Sequence, residues 1–147
     1  MHATAHGIRM NLEEIKKIAG DVPALSTRLG MKFVSTSEPD VCVATMPVNE
    51  HTRQPYGVLS GGATLALAET LAGAGSIALC PGQICVGINV SANHIKSAYE
   101  GDTVTARARI INQSKHLHVW QVEVSDSQGA LISSVQVTNY IKEPTHE

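Results

Sequence analysis

The fold of this chain is constrained most by a run of apolar and small residues from 54 to 95, in which Glu69 is the only formally charged side chain. Ser60 is a favourable residue for the N-cap of a helix, and Pro81 stops a helix that begins there. The Ala- and Leu-rich stretch from Ala63 onward therefore predicts a helix of about five turns. Because this helix is apolar on every side, we expect it to lie buried at the centre of the domain.

Glu69 is the first candidate for a catalytic residue. Burying an unpaired carboxylate is costly, so a single acid in an apolar helix is more often a functional residue than a structural one. The structural alternative is that the side chain reaches solvent or a cation of a partner chain. On a helical wheel Glu69 shares its face with mostly small residues that could line a cleft, namely Gly62, Leu65, Ala66, Ala72, Gly73 and Ser76.

The start of the same helix is the second candidate. Gly61 and Gly62 leave the unpaired N–H groups of the helix N-terminus open to a ligand. Such donors suit a carbonyl oxygen that gains negative charge during acyl transfer. Gly61 and Glu69 are separated by about 12 Å at a rise of about 1.5 Å per residue. One small reaction centre can use both only if two subunits meet and each supplies one of them.

Length and charge limit the function classes. The chain of 147 residues has a formal net charge of −2, so we expect one domain and neither nucleic acid nor an anionic membrane as a partner. The helix carries a carboxylate and internal glycines, which makes it a poor membrane span, and the N-terminus lacks the pattern of a signal peptide. We therefore expect a cytoplasmic protein. The three cysteines indicate reduced core residues, and although Cys80, Cys85 and His94 are close in sequence, we expect no metal site.

Strand patterns flank the long helix. Valine- and threonine-rich runs at 31–36 and 41–46, on either side of a turn at 38–40, predict a β-hairpin. After the helix, alternating apolar residues predict strands at 84–97, 104–110, 120–124 and 131–141, joined by tight turns into an antiparallel meander. In the first of these strands we expect one face to contain Val86, Ile88, Val90, Ala92 and His94.

The order of elements predicts the fold class. We expect residues 1–28 to form a tail with a short helix at 12–19, and residues 29–147 to form one domain. That domain is predicted to be α+β, with an antiparallel sheet wrapped around the long helix.

Several short motifs occur together between Leu29 and Ile141. They are Met46-Pro-Val48, Gln54-Pro-Tyr-Gly57, Leu59-Ser-Gly-Gly-Ala63, Leu67-Ala-Glu-Thr70, Ala92-Asn-His94 and Val119-Trp-Gln121. In this combination the chain resembles the hotdog-fold acyl-CoA thioesterases of the phenylacetic-acid-pathway type. Within that group it is most similar to the dihydroxynaphthoyl-CoA thioesterases of menaquinone synthesis.

The resemblance implies roles for individual residues. Glu69 would attack the thioester carbonyl or activate a water, the N–H of Gly61 would polarise the thioester oxygen, and Gln54 would place the acyl group or the water. The residues implied in substrate binding are Ser60, Gly62, Gly73 and His94. Those implied in binding coenzyme A, which is part of the substrate rather than a separate cofactor, are Lys96, Ser114, Lys115 and His116.

The resemblance also implies an assembly. The family builds its active site across a homodimer, and we expect two dimers to form a homotetramer. One departure from the family pattern is Ser60, because relatives usually have histidine there, and this affects the expected acyl group. Two alternatives stay open: a non-catalytic acyl-CoA binding or sensing module, and a hotdog dehydratase that uses His94 with a carboxylate.

Overall fold

The computed structural model describes residues 23–145. In chain order its elements are α1 (Leu25–Arg28), β1 (Lys32–Val34), β2 (Val41–Pro47), α2 (Gly61–Leu79), β3 (Ile84–His94), β4 (Thr103–Gln113), β5 (Leu117–Ser125) and β6 (Leu131–Lys142). The helix predicted at 12–19 lies outside the described residues. The long helix is present as predicted, with Ser60 at the N-cap position and its last residue two positions before Pro81.

All six strands form one antiparallel sheet in the order β1-β2-β4-β5-β6-β3. α2 packs against β2, β3, β4, β5 and β6, which confirms the predicted α+β architecture. The predicted hairpin is also confirmed, since Phe33 of β1 lies opposite Ala44 of β2. β1 is shorter than its sequence pattern indicates and covers only three residues.

One predicted connection is wrong. The sequence predicts a tight turn that pairs β3 with β4, but β3 pairs with β6 at the edge of the sheet and β4 lies between β2 and β5. Residues 95–102 carry the chain from the edge strand β3 past β6 and β5 to β4. Backbone bonds from Leu59 N to Ala98 O and from Val48 N to Asp102 O, both 2.8 Å, tie this crossing segment to the loop before α2. The segment therefore closes one end of the site described below.

The predicted common face of β3 is also wrong in its first half. A β-bulge between Gly87 and Asn89 places one extra residue, Ile88, in β3 relative to β6. Because strand side chains alternate, the extra residue inverts the two faces on either side of it. Val86 and Ile88 are consequently 43% and 57% exposed, whereas Gly87 faces α2. Beyond the bulge, Val90 packs against the core as predicted.

The core lies between α2 and the facing side of the sheet. The predicted alternation in β4 and β5 is confirmed, because the apolar residues on one face are fully buried: Val104, Ala106, Ala108, Trp120, Val122 and Val124. At Gly75 a Cβ would lie 2.6 Å from Trp120 Cη2 and 3.0 Å from Cys42 Sγ. Real Cβ atoms do not approach other atoms that closely, so glycine is needed here for the helix and sheet to pack together.

α2 is buried on one side only. It is long and apolar enough to cross a membrane, and about half of it, 50%, is buried against the rest of its own domain. That burial is what a core helix shows. The prediction of a helix buried on every side is wrong for the face that contains Gly62, Glu69 and Ile77, which are exposed. The reason is geometric, because one sheet covers only one side of a helix.

Candidate active site

A cavity of about 220 Å³ at the start of α2 brings together Gln54, Gly61 and His94. Gln54 stands in a tight turn, where its N–H donates to Val58 O at 2.8 Å and its own carbonyl accepts from Gly57 N at 3.0 Å. Gly57 has a φ of 82°, a conformation that glycine adopts without strain. The turn fixes the point from which the Gln54 side chain enters the cavity. Three of the predicted site residues thus meet within one chain.

His94 lies directly against Gly61. A Cβ at position 61 would be 2.7 Å from His94 Nε2 and 3.2 Å from Cδ2, so the imidazole occupies the space that a side chain would need. The other ring nitrogen, Nδ1, is 2.7 Å from Ser133 Oγ. Sequence reasoning missed Ser133, because the contact depends on β3 and β6 pairing in a register that places the two residues opposite each other. We find no local sequence signal that distinguishes this serine from its neighbours.

Glu69 faces a separate cleft of about 490 Å³, which it shares with the predicted residues Gly62 and Gly73. Its carboxylate rests against Gly87, where a Cβ would overlap Oε1. The expectation that Glu69 is buried is wrong for the single chain, in which its side chain is exposed. The helical-wheel prediction also fails at two positions, because Ala72 and Ser76 lie in the core and are 0% exposed.

The acid and the cavity are not joined within one chain. Among residues 23–145, no cationic side chain forms an ion pair with Glu69. Gly61 and Glu69 contact different positions of β3, namely His94 and Gly87. The structure therefore retains the separation of about 12 Å along the helix that the sequence predicts.

Ser60 occupies the N-cap of α2, but its side chain forms no capping hydrogen bond, unlike a typical serine at this position. Its N–H donates to Thr52 O at 2.8 Å, which joins the helix start to the preceding loop. The residue lines a third cleft of about 280 Å³ together with Arg53 and Gly62. Leu25 of α1 contributes to this cleft and to the Glu69 cleft. The Ser60 hydroxyl thus lies at this cleft without a bond to the backbone of the helix start.

The residues predicted to bind coenzyme A fall at two ends of the sheet. Lys96 lines the cavity at the start of α2 and pairs with Asp126 at 3.2 Å. Ser114 and Lys115 belong to the β4–β5 loop with His116, whose Nδ1 donates to Ile141 O at 3.1 Å. Because Lys96 N bonds to Ile132 O, the two groups are separated by most of β6, about 30 Å at about 3.3 Å per residue. One chain therefore does not bring them together.

A buried polar cluster on α2 escaped the sequence reasoning. Ser76 Oγ accepts hydrogen bonds from Trp120 Nε1 and from Asn139 Nδ2, both at 2.9 Å. These occupy its two lone pairs, so its proton is donated to His118 Nδ1, also at 2.9 Å. His118 Nε2 then carries the ring proton and faces Cys80 Sγ at 3.6 Å. Burial lowers the pKa of His118, in agreement with a neutral ring.

The cysteines form no disulfide, as predicted, but only Cys42 lies in the core, because Cys80 and Cys85 are partly exposed. Burial raises the pKa of Cys42 to about 12, with a smaller contribution from the nearby Asp40. Cys80 contacts His118, while His94 lies at the opposite end of β3 from Cys85. Within residues 23–145, no group of three or more His, Cys, Asp and Glu side chains is placed to hold a metal ion.

The comparisons with known proteins agree with one another on the family. A family model described as the thioesterase superfamily matches residues 56–133. A putative esterase from Deinococcus radiodurans is 44% identical over 132 residues, which cover 88% of this chain and 79% of that protein. A 1,4-dihydroxy-2-naphthoyl-CoA hydrolase from Escherichia coli is 42% identical over 110 residues, covering 69% of this chain and 75% of that protein.

A solved structure agrees with these matches. The crystal structure of a thioesterase from Haemophilus influenzae superposes with a TM-score of 0.85 and 33% identity, covering 98% of this chain and 100% of that one. The similarity includes the whole described sheet and α2. It extends beyond residues 56–133, the span of the family model, on both the N-terminal and the C-terminal side.

Proposed function

Because the chain belongs to the thioesterase superfamily and is a hydrolase of the hotdog fold, we propose that it hydrolyses an acyl-CoA thioester to a free acid and coenzyme A. We propose an aryl acyl group, since one relative is named for 1,4-dihydroxy-2-naphthoyl-CoA. Coenzyme A enters as part of the substrate, and the proposal requires no separate cofactor. A cytoplasmic location, a homotetramer and the domain boundary after residue 28 stay predictions.

The observation that carries the proposal is the pairing of two contacts along β3. Within one chain, His94 contacts Gly61 and Gly87 contacts Glu69. β3 is an edge strand of 11 residues, and its exposed Val86 and Ile88 make it a surface suited to association.

An antiparallel pair of β3 strands about a two-fold axis would join these contacts. If the axis passes through Ser91, and the bulged residue Ile88 is skipped as it is in the pairing with β6, His94 of one chain stands opposite Gly87 of the other. Directly opposed residues in an antiparallel pair point to the same side of the sheet. Glu69 of one chain then faces Gly61 of its partner, and the same arrangement recurs on the other side of the axis. The exposed carboxylate thus acquires a covered, functional environment without any rearrangement of the chain.

The chemistry follows from the groups so assembled. The thioester oxygen lies at the Gly61 N–H, which stabilises the negative charge that develops on it. Glu69 either attacks the carbonyl carbon to form a mixed anhydride that water then hydrolyses, or takes a proton from a water that attacks directly. In both routes the C–S bond breaks, and the sulfur leaves as the thiolate of coenzyme A and is then protonated. Gln54 places the acyl group or the water. Ser60, Gly62 and Gly73 line the clefts next to Glu69, where the acyl group would lie.

The experiment uses two inactive variants that restore each other. In Glu69→Gln the acid is lost, and in Gly61→Ala a methyl group occupies the position held by the His94 ring. We expect each alone to release almost no thiol from aryl-CoA substrates. In a heterodimer one site combines both defects and the other has neither. Co-expression with two tags should therefore recover about a quarter of the wild-type activity if chains pair at random.

The matched control carries both substitutions in the same chain. The double variant Glu69→Gln with Gly61→Ala, co-expressed with wild type in the same way, should leave about a quarter of the activity, because both sites of a mixed dimer then carry one defect, whereas a site within one chain would leave about a half. Absence of recovery from the two single variants, with an active wild type, would show that the site lies within one chain. Tight acyl-CoA binding without thiol release by wild type would favour the binding module, and water loss from hydroxyacyl-CoA without thiol release would favour the dehydratase.

A further inference from the structure

The contact between His94 and Ser133 is not explained by packing alone. Ser133 is 2% exposed and lines the same cavity as Gln54 and Gly61. It stands directly opposite His94 in the pairing of β3 with β6. The backbone register therefore sets where both side chains begin, and the bond of 2.7 Å between Ser133 Oγ and His94 Nδ1 sets the angle of the ring.

The donor in this hydrogen bond can be inferred from the acceptors that the Ser133 hydroxyl proton can reach. The structure shows no bond from the Ser133 hydroxyl to any other side chain or carbonyl within residues 23–145. If His94 Nδ1 carried the proton, the hydroxyl proton of Ser133 would have no protein acceptor within residues 23–145. If Ser133 donates to Nδ1, the hydroxyl is satisfied. The ring proton of His94 then lies on Nε2.

Nε2 is the ring atom that faces the start of α2. It is the atom nearest to the position that a Cβ of Gly61 would take, at 2.7 Å. The protonated nitrogen therefore lies beside the Cα of Gly61, and both residues line the same cavity. Two N–H donors at one point are the arrangement that a developing oxyanion requires.

We propose that Ser133 is a positioning residue of the hydrolase, which holds His94 as the Nε2–H tautomer so that Nε2–H and the Gly61 N–H donate together to the thioester oxygen. The inference rests on the proposed function for its chemistry. The tautomer itself rests only on the geometry of the free protein.

The kinetic test is a double-mutant cycle of Ser133→Ala and His94→Ala on thiol release. His94→Ala removes a donor and should lower kcat by about 10²-fold, and Ser133→Ala should lower it by about 10-fold with little change in KM. When His94 is already alanine, Ser133→Ala should have no further effect on kcat. Ser133→Thr retains the hydroxyl and should restore most of the rate.

Ser134 provides the matched control. It is the next residue in β6, its side chain lies on the other face, and its hydroxyl accepts a hydrogen bond from Gln121 at 2.9 Å. Ser134→Ala removes one hydroxyl and one hydrogen bond, as Ser133→Ala does, and should leave kcat unchanged. Equal losses of kcat in the two serine variants, or a full effect of Ser133→Ala in the His94→Ala background, would overturn the proposal.

A readout independent of activity separates this proposal from the proposed function. Nitrogen NMR of the wild-type imidazoles, with His94→Ala used to assign the signal, should show the proton of His94 on Nε2. In Ser133→Ala the His94 signal should move toward a mixture of tautomers. A proton found on Nδ1 in the wild type would overturn the positioning role even if thioesters are hydrolysed. The expected tautomer in a protein that releases no thiol would leave Ser133 as the residue that orients His94 and would reject only the acyl-CoA chemistry.

Discussion

Two polar side chains of α2, seven positions apart, meet opposite environments. Ser76 is fully buried and forms hydrogen bonds with Trp120, His118 and Asn139 of its own sheet. Glu69 is exposed, rests against a glycine and has no ion-pair partner among residues 23–145. Both interrupt an apolar helix, so the sequence pattern alone does not distinguish them.

The difference indicates what each residue is for. A buried polar group that is fully satisfied within one chain stabilises and orients the core. A carboxylate left open in a cleft of small residues has no such role in the isolated chain, and the proposed dimer would complete its environment. The comparison therefore assigns Ser76 to the structure of the domain and Glu69 to the proposed reaction.

The largest expected effects are a loss of kcat when Glu69 is changed and a loss of stability when Ser76 is changed. Glu69→Gln should lower kcat for thioester hydrolysis by about 10²- to 10⁴-fold, while the free energy of unfolding changes by no more than about 0.5 kcal/mol. Ser76→Ala leaves buried donors without an acceptor and should destabilise the fold by about 1–3 kcal/mol. Its folded fraction should retain a kcat close to that of the wild type. Thiol release and urea unfolding measure the two quantities.

The separation of roles is contradicted if Glu69 proves structural or Ser76 proves dispensable for stability. Glu123→Gln, a change of the same chemistry at an exposed position of β5, is the matched control and should affect neither quantity. A stable, fully active Glu69→Gln, or a Ser76→Ala with native stability, would show that exposure and hydrogen bonding do not separate function from structure on this helix.

A smaller effect is expected from two glycines on the same helix. Gly75→Ala would place its methyl group 2.6 Å from Trp120 and should lower the free energy of unfolding by about 1–3 kcal/mol. Gly73→Ala meets no atom within 4 Å, so its better helix propensity should raise stability by about 0.5–1 kcal/mol. Thermal unfolding of both variants tests the pair. Similar losses in the two would contradict the close approach of helix and sheet at Gly75.

The smallest effect concerns pH and the buried cluster. Burial lowers the pKa of His118, so the unfolded chain binds a proton more readily than the folded one. Stability should fall as pH decreases below about 6.5, the value for an unfolded histidine, and level off below the folded-state pKa. Urea unfolding between pH 7.5 and 5 should show this slope, with a weaker slope in His118→Asn. An unchanged slope in that variant would contradict a neutral, buried His118.

Carboxylates act in a separate pH range. Hydrogen bonds from Ser127 keep the pKa of Asp102 below its usual range, and those from Ala130 do the same for Asp126. Their contribution to stability is present above about pH 4 and is lost only as pH falls further through their folded-state values. They therefore do not obscure the slope assigned to His118.

Much of the fold could be predicted from local patterns. The boundaries of α2 follow from Ser60 and Pro81, and the alternation in β4 and β5 predicts which face is buried. The face of the first half of β3 could not be predicted, because the bulge at Ile88 arises from pairing with β6 and leaves no mark in the alternation. The edge position of β3 was missed for the same reason, since strand order depends on partners distant in sequence.

The candidate site divides in the same way. Glu69 stands out in the sequence by its charge, and Gly61 and Gln54 stand out by the motifs that contain them. Ser133 and the Ser76 cluster are ordinary polar residues in sequence, and only strand register and helix packing bring them to His94 and His118.

The sequence by itself determined the elements of this protein, because helix caps, strand alternation and an isolated charge act over a few neighbouring residues. Only the tertiary structure decided which groups share a cavity, since contacts between β3, β6 and α2 join positions up to 67 residues apart, as Asn139 and Ala72 show. Burial, too, was decided at that level. One sheet covers one side of α2, which leaves Ser76 in the core and Glu69 exposed at the surface of the chain.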